Sequence, residues 1–272
     1  MQYENYSVLM SVYYKEKPEY LKQSIESMLD QTVPTNDFVI VCDGPLTPEL
    51  DEVLENYKRQ KPEVFNVVRL ERNVGIGAAA NEGLKYCKND LVAKMDADDI
   101  ALANRCEKEL ELLLNEDLAL VGSYIDEFQN DGEIVSVRKV PTEYSEILKY
   151  AKQRDPFNNQ TVIYRKSAVL KVGGYSDLKR CEDYDLYVRI LAAGYKARNI
   201  PESLVKYRLT SDTFERRGNF DNLKGFVIVR WKIHRSGFSG LMDFVIPCVG
   251  QIFLSVIPGK FRASVYSKLL RR

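Results

Sequence analysis

The N-terminal half of this chain alternates short β-branched runs with helical patterns, and that alternation constrains its fold more than any other feature. Ser7–Tyr13, Phe38–Val41, Val67–Leu70 and Leu91–Met95 read as strands. Pro18 opens a helix to about Gln31, Pro48 opens a second to about Arg59, and a third runs from Gly77 to about Cys87. Strands and helices in this order build a mostly parallel α/β sheet whose ligand crevice lies at the strands' carboxyl ends. Tyr13, Asp43, Asn73 and Asp96 each fall just past a strand end, so all four are expected to line that crevice.

Further along, Arg105–Asn115 reads as an amphipathic helix. Leu118–Phe128 and Ile134–Val137 flank a turn at Asn130-Asp131-Gly132 as antiparallel strands. A helix near Tyr144–Lys152, a strand Thr161–Tyr164 and a helix from about Asp183 to Ala193, ended by Gly194, complete the pattern. Phe244 to Gly259 carries no charge and is followed by Lys260, Arg262, Lys268, Arg271 and Arg272. Broken by Pro247, Gly250 and Pro258, the apolar run is too short for a transmembrane helix. It suits an interfacial or re-entrant anchor with a basic flank on anionic lipid, or a helix that packs on the domain.

Lys plus Arg and Asp plus Glu both total 39, so no global field draws nucleic acid. Five cysteines without CxxC spacing, and no recognisable signal peptide, point to reduced thiols in a cytoplasmic protein. The one histidine, His234, sits in a basic amphipathic stretch far from every acidic cluster. Zinc sites and Ser-His-Asp or Cys-His chemistry are thereby disfavoured, and proton transfer falls to a carboxylate.

Those carboxylates stand in two groups. In Val92-Ala93-Lys94-Met95-Asp96-Ala97-Asp98-Asp99-Ile100, three acids follow an apolar strand. Alternation points Asp96 and Asp98 to one side if the extended geometry persists, an arrangement suited to Mg²⁺ or Mn²⁺ with substrate phosphates. An Asp-rich helix cap explains the run equally well. The second group, Glu182 and Asp183 in Arg180-Cys181-Glu182-Asp183-Tyr184-Asp185, opens a helix. These acids are either caps or the separate base that a metal–diphosphate site needs. Val74-Gly75-Ile76-Gly77-Ala78-Ala79-Ala80 also fits GxGxxA, the pattern of a dinucleotide-dependent oxidoreductase. Its late start after the strand, its place in the third βα unit and the excess of carboxylates beside a pyrophosphate weigh against that alternative. The helix N-terminus at Gly75–Ala78 still favours a nucleotide's phosphates.

Over about residues 5–210 the chain resembles the family 2 glycosyltransferases of GT-A fold. The match rests on Ser7-Val8-Leu9-Met10-Ser11-Val12-Tyr13, Asp43-Gly44, Asn73-Val74-Gly75, Met95-Asp96-Ala97-Asp98-Asp99 and Glu182-Asp183-Tyr184-Asp185-Leu186. Val41-Cys42-Asp43-Gly44-Pro45-Leu46-Thr47 is similar to the amylovoran-type subgroup of exopolysaccharide and capsule transferases. The resemblance implies a UDP-sugar donor, Mn²⁺ or Mg²⁺, and inversion at the anomeric carbon. It places Tyr13, Asp43, Asn73, Gly75, Asp96 and Arg105 at the nucleotide-sugar, with Asp43 on the uracil and Asp96 toward the ribose and donor. Asp98, with Asp96, would hold the metal, Asp183 would be the base, and Asp99 and Glu182 would be auxiliary.

The chain departs from the family where Ala80 stands for an arginine, and where Leu209 and Asn159 stand for histidines. Processive members carry QxxRW, whereas Val227-Ile228-Val229-Arg230-Trp231 has valine for the glutamine, so single additions are expected. The implied layout is a GT-A domain over 1–210, with a nucleotide-binding half (1–99) and an acceptor half (100–210). Residues 211–272 form a helical, membrane-attaching tail. The implied acceptor is a lipid-linked oligosaccharide in cell-surface polysaccharide biosynthesis, met at the inner face of the plasma membrane. A non-catalytic nucleotide-sugar-binding protein is the alternative of a different class.

Overall fold

A computed structural model describes residues 4–129, 132–210 and 220–256. Among the described residues nine strands form one sheet: β1 (Tyr6–Val12), β2 (Asp37–Cys42), β3 (Phe65–Arg69), β4 (Leu91–Asp96), β5 (Ile100–Ala101), β6 (Leu120–Gln129), β7 (Glu133–Arg138), β8 (Ile163–Arg165) and β9 (Ala197–Arg208). Their order is β3-β2-β1-β4-β8-β6-β9-β5, with β7 paired to β6. The first four strands are all parallel, as the β-branched runs imply. Beyond β4 the sheet becomes mixed: β8 is antiparallel to β4 and β6, β9 is parallel to β6, and β5 is antiparallel to β9.

Helices α1 (Pro18–Leu29), α2 (Pro48–Gln60), α3 (Ile76–Leu84) and α4 (Arg105–Asn115) fall where their start signals place them. Pro18 and Pro48 occupy the first turn, where no amide is needed, and Thr47 Oγ1 caps α2 by accepting from Leu50 N at 3.4 Å. Then come α5 (Tyr144–Ala151), α6 (Lys166–Lys171) and α7 (Glu182–Ala192), followed by α8 (Phe220–Arg235) and α9 (Leu241–Val256). Alternation divides the sheet's side chains between two cores. Leu9, Val39, Val41 and Val92 pack against α3 and α7, while Val8, Met10, Ile40 and Ala93 face α1, α2 and α4.

Three features depart from the sequence expectation. Thr161 ends a 3₁₀ turn (Asn159–Thr161) instead of opening a strand, because its hydroxyl donates to Asn158 O at 2.8 Å. The two-residue β5 and the twelve-residue β9 carry no clean alternation. Pro201 has no amide to give, and the β6–β9 ladder passes from Ser123↔Ile200 to Tyr124↔Ser203, skipping Pro201 and Glu202. The tail is helical on both sides of the Ser236–Gly240 turn. Val229 and Ile233 of α8 are buried in the same core as Tyr184 and Leu186 of α7, so α8 is part of the folded body. The basic run from Lys260 to Arg272 and the turn residues Asn130 and Asp131 lie outside the described residues.

Candidate active site

The carboxyl ends of β1, β2 and β4 meet the start of α3 in one crevice. At β2's end Gly44 adopts φ +88, and a Cβ there would meet Asn73 N at 2.7 Å. Only glycine permits that approach. It brings Asp43, 5 % exposed, onto the glycine turn: its carboxylate accepts from Val74 N at 2.7 Å and Gly75 N at 3.1 Å. Asn73 Nδ2 donates to Asp43 O at 3.2 Å. Asp43, Asn73 and Gly75 thus latch β2 to α3, and the exposed Asn73 remains at the rim. Tyr13 follows β1, half-buried, its ring edge-on to Tyr14 at 5.8 Å.

The acidic run is pinned from beneath by α1. Ser24 Oγ donates to Asp96 O at 2.8 Å, and Ser27 Oγ accepts from Ala101 N at 3.0 Å. Gln31 donates to Leu102 O and accepts from Cys106 N, at 2.8 and 2.9 Å. Asp96 and Asp98 are half-buried and Asp99 is fully buried, so the three acids are not equivalent. Asp99 Oδ1 accepts from Arg208 N at 2.9 Å, while its Oδ2 has no partner. Burial, with Asp98 and Asp96 beside it, holds its carboxyl well above the usual range.

Arg208, which the sequence did not single out, closes this corner. Its Nε donates to Asp98 O at 2.8 Å, its NH2 donates to Gln23 Oε1 at 2.7 Å, and the guanidinium lies 3.9 Å from the Tyr20 ring centroid.

Arg105 does not open onto this crevice. It is fully buried, ion-paired to Glu109 at 3.1 Å, and donates to Lys94 O at 2.7 Å and Met95 Sδ at 3.3 Å. The nucleotide contact expected of it has no exposed surface through which to act. Its place after the acidic motif serves to clamp β4 to α4.

The second acidic cluster converges on the first. Asn81 of α3 and Tyr175 exchange two hydrogen bonds, each 2.8 Å, which draw the segment before α7 over the crevice. Arg189 locks that segment to α7, donating to Gly174 O at 2.7 Å and Asp185 Oδ2 at 2.9 Å. Asp183 Oδ1 accepts from Tyr184 N at 2.8 Å. Burial raises the Asp183 carboxyl and Asp96 raises it further, against the lowering effects of the Tyr184 amide and Arg138. Glu182 is raised by burial first and by Asp183 second.

A third carboxylate without a sequence signal, Asp155, joins them. Its Oδ1 accepts from Phe157 N at 3.1 Å, and burial and Asp183 hold it well above its ordinary value. Asn159 accepts from Tyr187 Oη at 2.7 Å. His234 lies apart, at the α8–α9 joint, stacked on Phe244 at 5.9 Å.

Comparison with known proteins gives this geometry a family. The model described as glycosyl transferase family 2 matches residues 7–178. The chain belongs to family 2 of the glycosyltransferases. An Escherichia coli UDP-Gal:alpha-D-GlcNAc-diphosphoundecaprenol beta-1,3-galactosyltransferase is 36 % identical to the transferase over 271 residues, covering 98 % of this chain and 97 % of that one. The amylovoran biosynthesis glycosyltransferase AmsE of Erwinia amylovora is 34 % identical, covering 97 % of this chain and 98 % of its own. Among solved structures, mannosyltransferase PcManGT from Pyrobaculum calidifontis, in complex with GDP-Man and Mn²⁺, superposes with a TM-score of 0.68 at 14 % identity. It covers 97 % of this chain and 75 % of that one, a likeness of fold.

No group of three or more His, Cys, Asp or Glu side chains among the described residues is arranged to hold a metal by itself. Two oxygen-donor carboxylates fit a hard divalent cation whose shell is completed by water and diphosphate, and the transferase offers Asp96 and Asp98 for that. Asp98→Ala is accordingly expected to weaken Mn²⁺-dependent UDP binding by about tenfold or more, with metal-independent binding little changed. Calorimetric titration of UDP with and without Mn²⁺ checks this, and unchanged affinity moves the metal elsewhere.

Proposed function

We propose that the transferase moves a single sugar from a UDP-sugar, UDP-galactose in the first instance, to a hydroxyl of a lipid-diphosphate-linked saccharide, with inversion, in cell-surface polysaccharide synthesis. The observation that carries this reading is the closure of the start of α7 on the carboxyl edge of the sheet, where Asn81 of α3 holds Tyr175 and Glu182 packs against Gly77. The donor and acceptor are those named for the E. coli relative, which matches along nearly its whole length. A solved neighbour of the same fold holds a nucleotide-sugar with Mn²⁺, in keeping with a metal here.

In this reading the diphosphate lies at the α3 N-terminus and beside Asp96 and Asp98, where backbone amides and the helix dipole favour negative charge. Asp96 and Asp98 would hold a divalent cation, which would supply Lewis-acid neutralisation of the charge on the departing UDP. Asp183 takes the proton of the acceptor hydroxyl as its oxygen attacks the anomeric carbon from the face opposite UDP. The carbon–oxygen bond to UDP breaks as the new glycosidic bond forms. The raised carboxyl of Asp183 gives a better base than an ordinary aspartate, at the cost of a higher pH for its ionisation.

The tail supports a membrane-facing acceptor. Among the described residues no helix is long and apolar enough to cross a membrane. α9 packs Phe244 against Trp231 of α8 at 5.6 Å, yet leaves Leu241, Met242, Val245, Ile246, Val249 and Ile252 exposed. Half-exposed Trp231 stands beside exposed Lys232 and Arg235. An apolar helix face with an aromatic and cations at its edge suits an anionic lipid interface. Replacing Ile246 and Val249 together by Asp, or deleting 241–272, is expected to shift the protein from the membrane pellet to the soluble fraction. Persistence in the pellet refutes this attachment.

A further inference from the structure

The turn that carries Asp98 and Asp99 has little of its own to hold it. It leaves β4 at Asp96 and regains the sheet at the two-residue β5, which lies on β9 with Ile100↔Lys206 and Ala101↔Val205. Its internal main-chain bond, Asp99 N to Asp96 O, is long at 3.5 Å. Asp96, Asp98 and Asp99 stand close enough along the chain to repel one another. What fixes the turn comes from the end of β9. Arg208, 7 % exposed, donates its own amide to Asp99 Oδ1 at 2.9 Å and its Nε to Asp98 O at 2.8 Å, while its NH2 donates to Gln23 Oε1 of α1 at 2.7 Å. The guanidinium packs on two rings, 3.9 Å from the Tyr20 centroid and 4.6 Å from that of Phe128. One planar group thus ties the acidic turn to α1 and to β6. An ammonium has neither the fixed fork of donors nor the flat face for this.

We propose that Arg208 is a positioning residue for the divalent cation: it sets the Asp98-Asp99 turn so that Asp98 is presented together with Asp96 before the cation arrives. This rests on the metal-dependent transfer reading above. Arg208 holds the turn through the Asp98 carbonyl and the Asp99 carboxylate, so its role is that of an outer partner that orients a metal ligand. Loss of such a partner commonly costs about 10–100-fold in metal affinity. The support matters most where ligands carry like charge, because an unsupported turn relieves the repulsion by moving its carboxylates apart.

Arg208→Lys keeps the positive charge, the apolar stem and the amide bond to Asp99, and removes the fork and the stacking. Calorimetric titration of UDP at a series of Mn²⁺ concentrations, and again in EDTA, reads the effect. The Mn²⁺ concentration that half-restores tight UDP binding is expected to rise about tenfold, while UDP affinity in EDTA stays at its parental value. Phe128→Leu takes one ring from the guanidinium and leaves the hydrogen-bonding groups of Arg208 in place. It is expected to raise the Mn²⁺ requirement in the same direction, by about threefold.

An Arg208→Lys protein with the parental Mn²⁺ requirement overturns the assignment, whatever its Tm, and leaves metal-dependent transfer itself intact. So does an equal loss of UDP affinity with Mn²⁺ and with EDTA, which marks a general loosening of the fold. If the parental protein binds UDP no better with Mn²⁺ than with EDTA, the metal-dependent reading and the role of Arg208 fall together.

Discussion

Asp183→Asn is expected to bind UDP as the parent does and to transfer sugar about 10²–10⁴ times more slowly, the usual contribution of a general base. The substitution keeps the side chain's shape and an acceptor oxygen for the Tyr184 amide, so the start of α7 stays folded. What it removes is the capacity to take a proton. The parental pH profile carries the same signature. Burial first and Asp96 second raise the Asp183 carboxyl, so its ionised, active form appears only above the ordinary carboxylate range. Activity is therefore expected to rise with pH along a limb displaced upward from the usual value near ~4, and that limb vanishes in Asp183→Asn. Near-parental turnover in the variant assigns the base elsewhere, and Asp155, beside Asp183, becomes the next carboxylate to replace.

Arg105→Ala is expected to lower folding stability by about 3–5 kcal/mol, the cost of leaving one member of a buried ion pair alone. Both partners are fully buried, and Glu109 Oε1 already lacks a hydrogen bond. Burial pushes the Glu109 carboxyl up to about 7 in spite of Arg105, which lowers it. The sign of the pH dependence follows. An acid whose folded value lies above its unfolded value binds more protons when folded, so stability falls as pH rises across that interval. Removing Arg105 raises Glu109 further, and the deficit should grow between pH 5 and pH 8. Urea unfolding at the two pH values checks this, and replacing Glu109 by Leu in the same protein should recover much of the loss. Full stability with weakened UDP affinity instead gives the arginine back to the nucleotide.

These two residues also show what the sequence makes legible. Asp96, Asp98 and Asp183 are readable because each follows an abrupt change of pattern: acids where an apolar strand stops, acids where an amphipathic helix begins. The four parallel strands and the proline-opened helices are readable for the same reason, since local chemistry and the period of burial agree. Arg105 has the right address after the acidic motif, but position along the chain does not reveal which face of α4 turns inward.

Asn81, Asp155 and Arg208 carry no local sign at all. Their roles arise from partners far away in the chain: Tyr175 for Asn81, Asp98 and Asp99 for Arg208, Asp183 for Asp155. β9 stays hidden for a further reason, because Pro201 interrupts its ladder and breaks the alternation by which a strand is recognised.

The measurement that bears most directly on the whole account is transfer itself. Purified protein is incubated with a panel of UDP-hexoses and an N-acetylglucosaminyl-diphospho-lipid acceptor, with Mn²⁺ or with EDTA, and the product's mass and anomeric configuration are determined. The account predicts one added hexose in β linkage from an α-linked donor, abolished by EDTA and greatly slowed in Asp183→Asn. An α-linked product, transfer indifferent to EDTA, or no transfer from any UDP-hexose contradicts it.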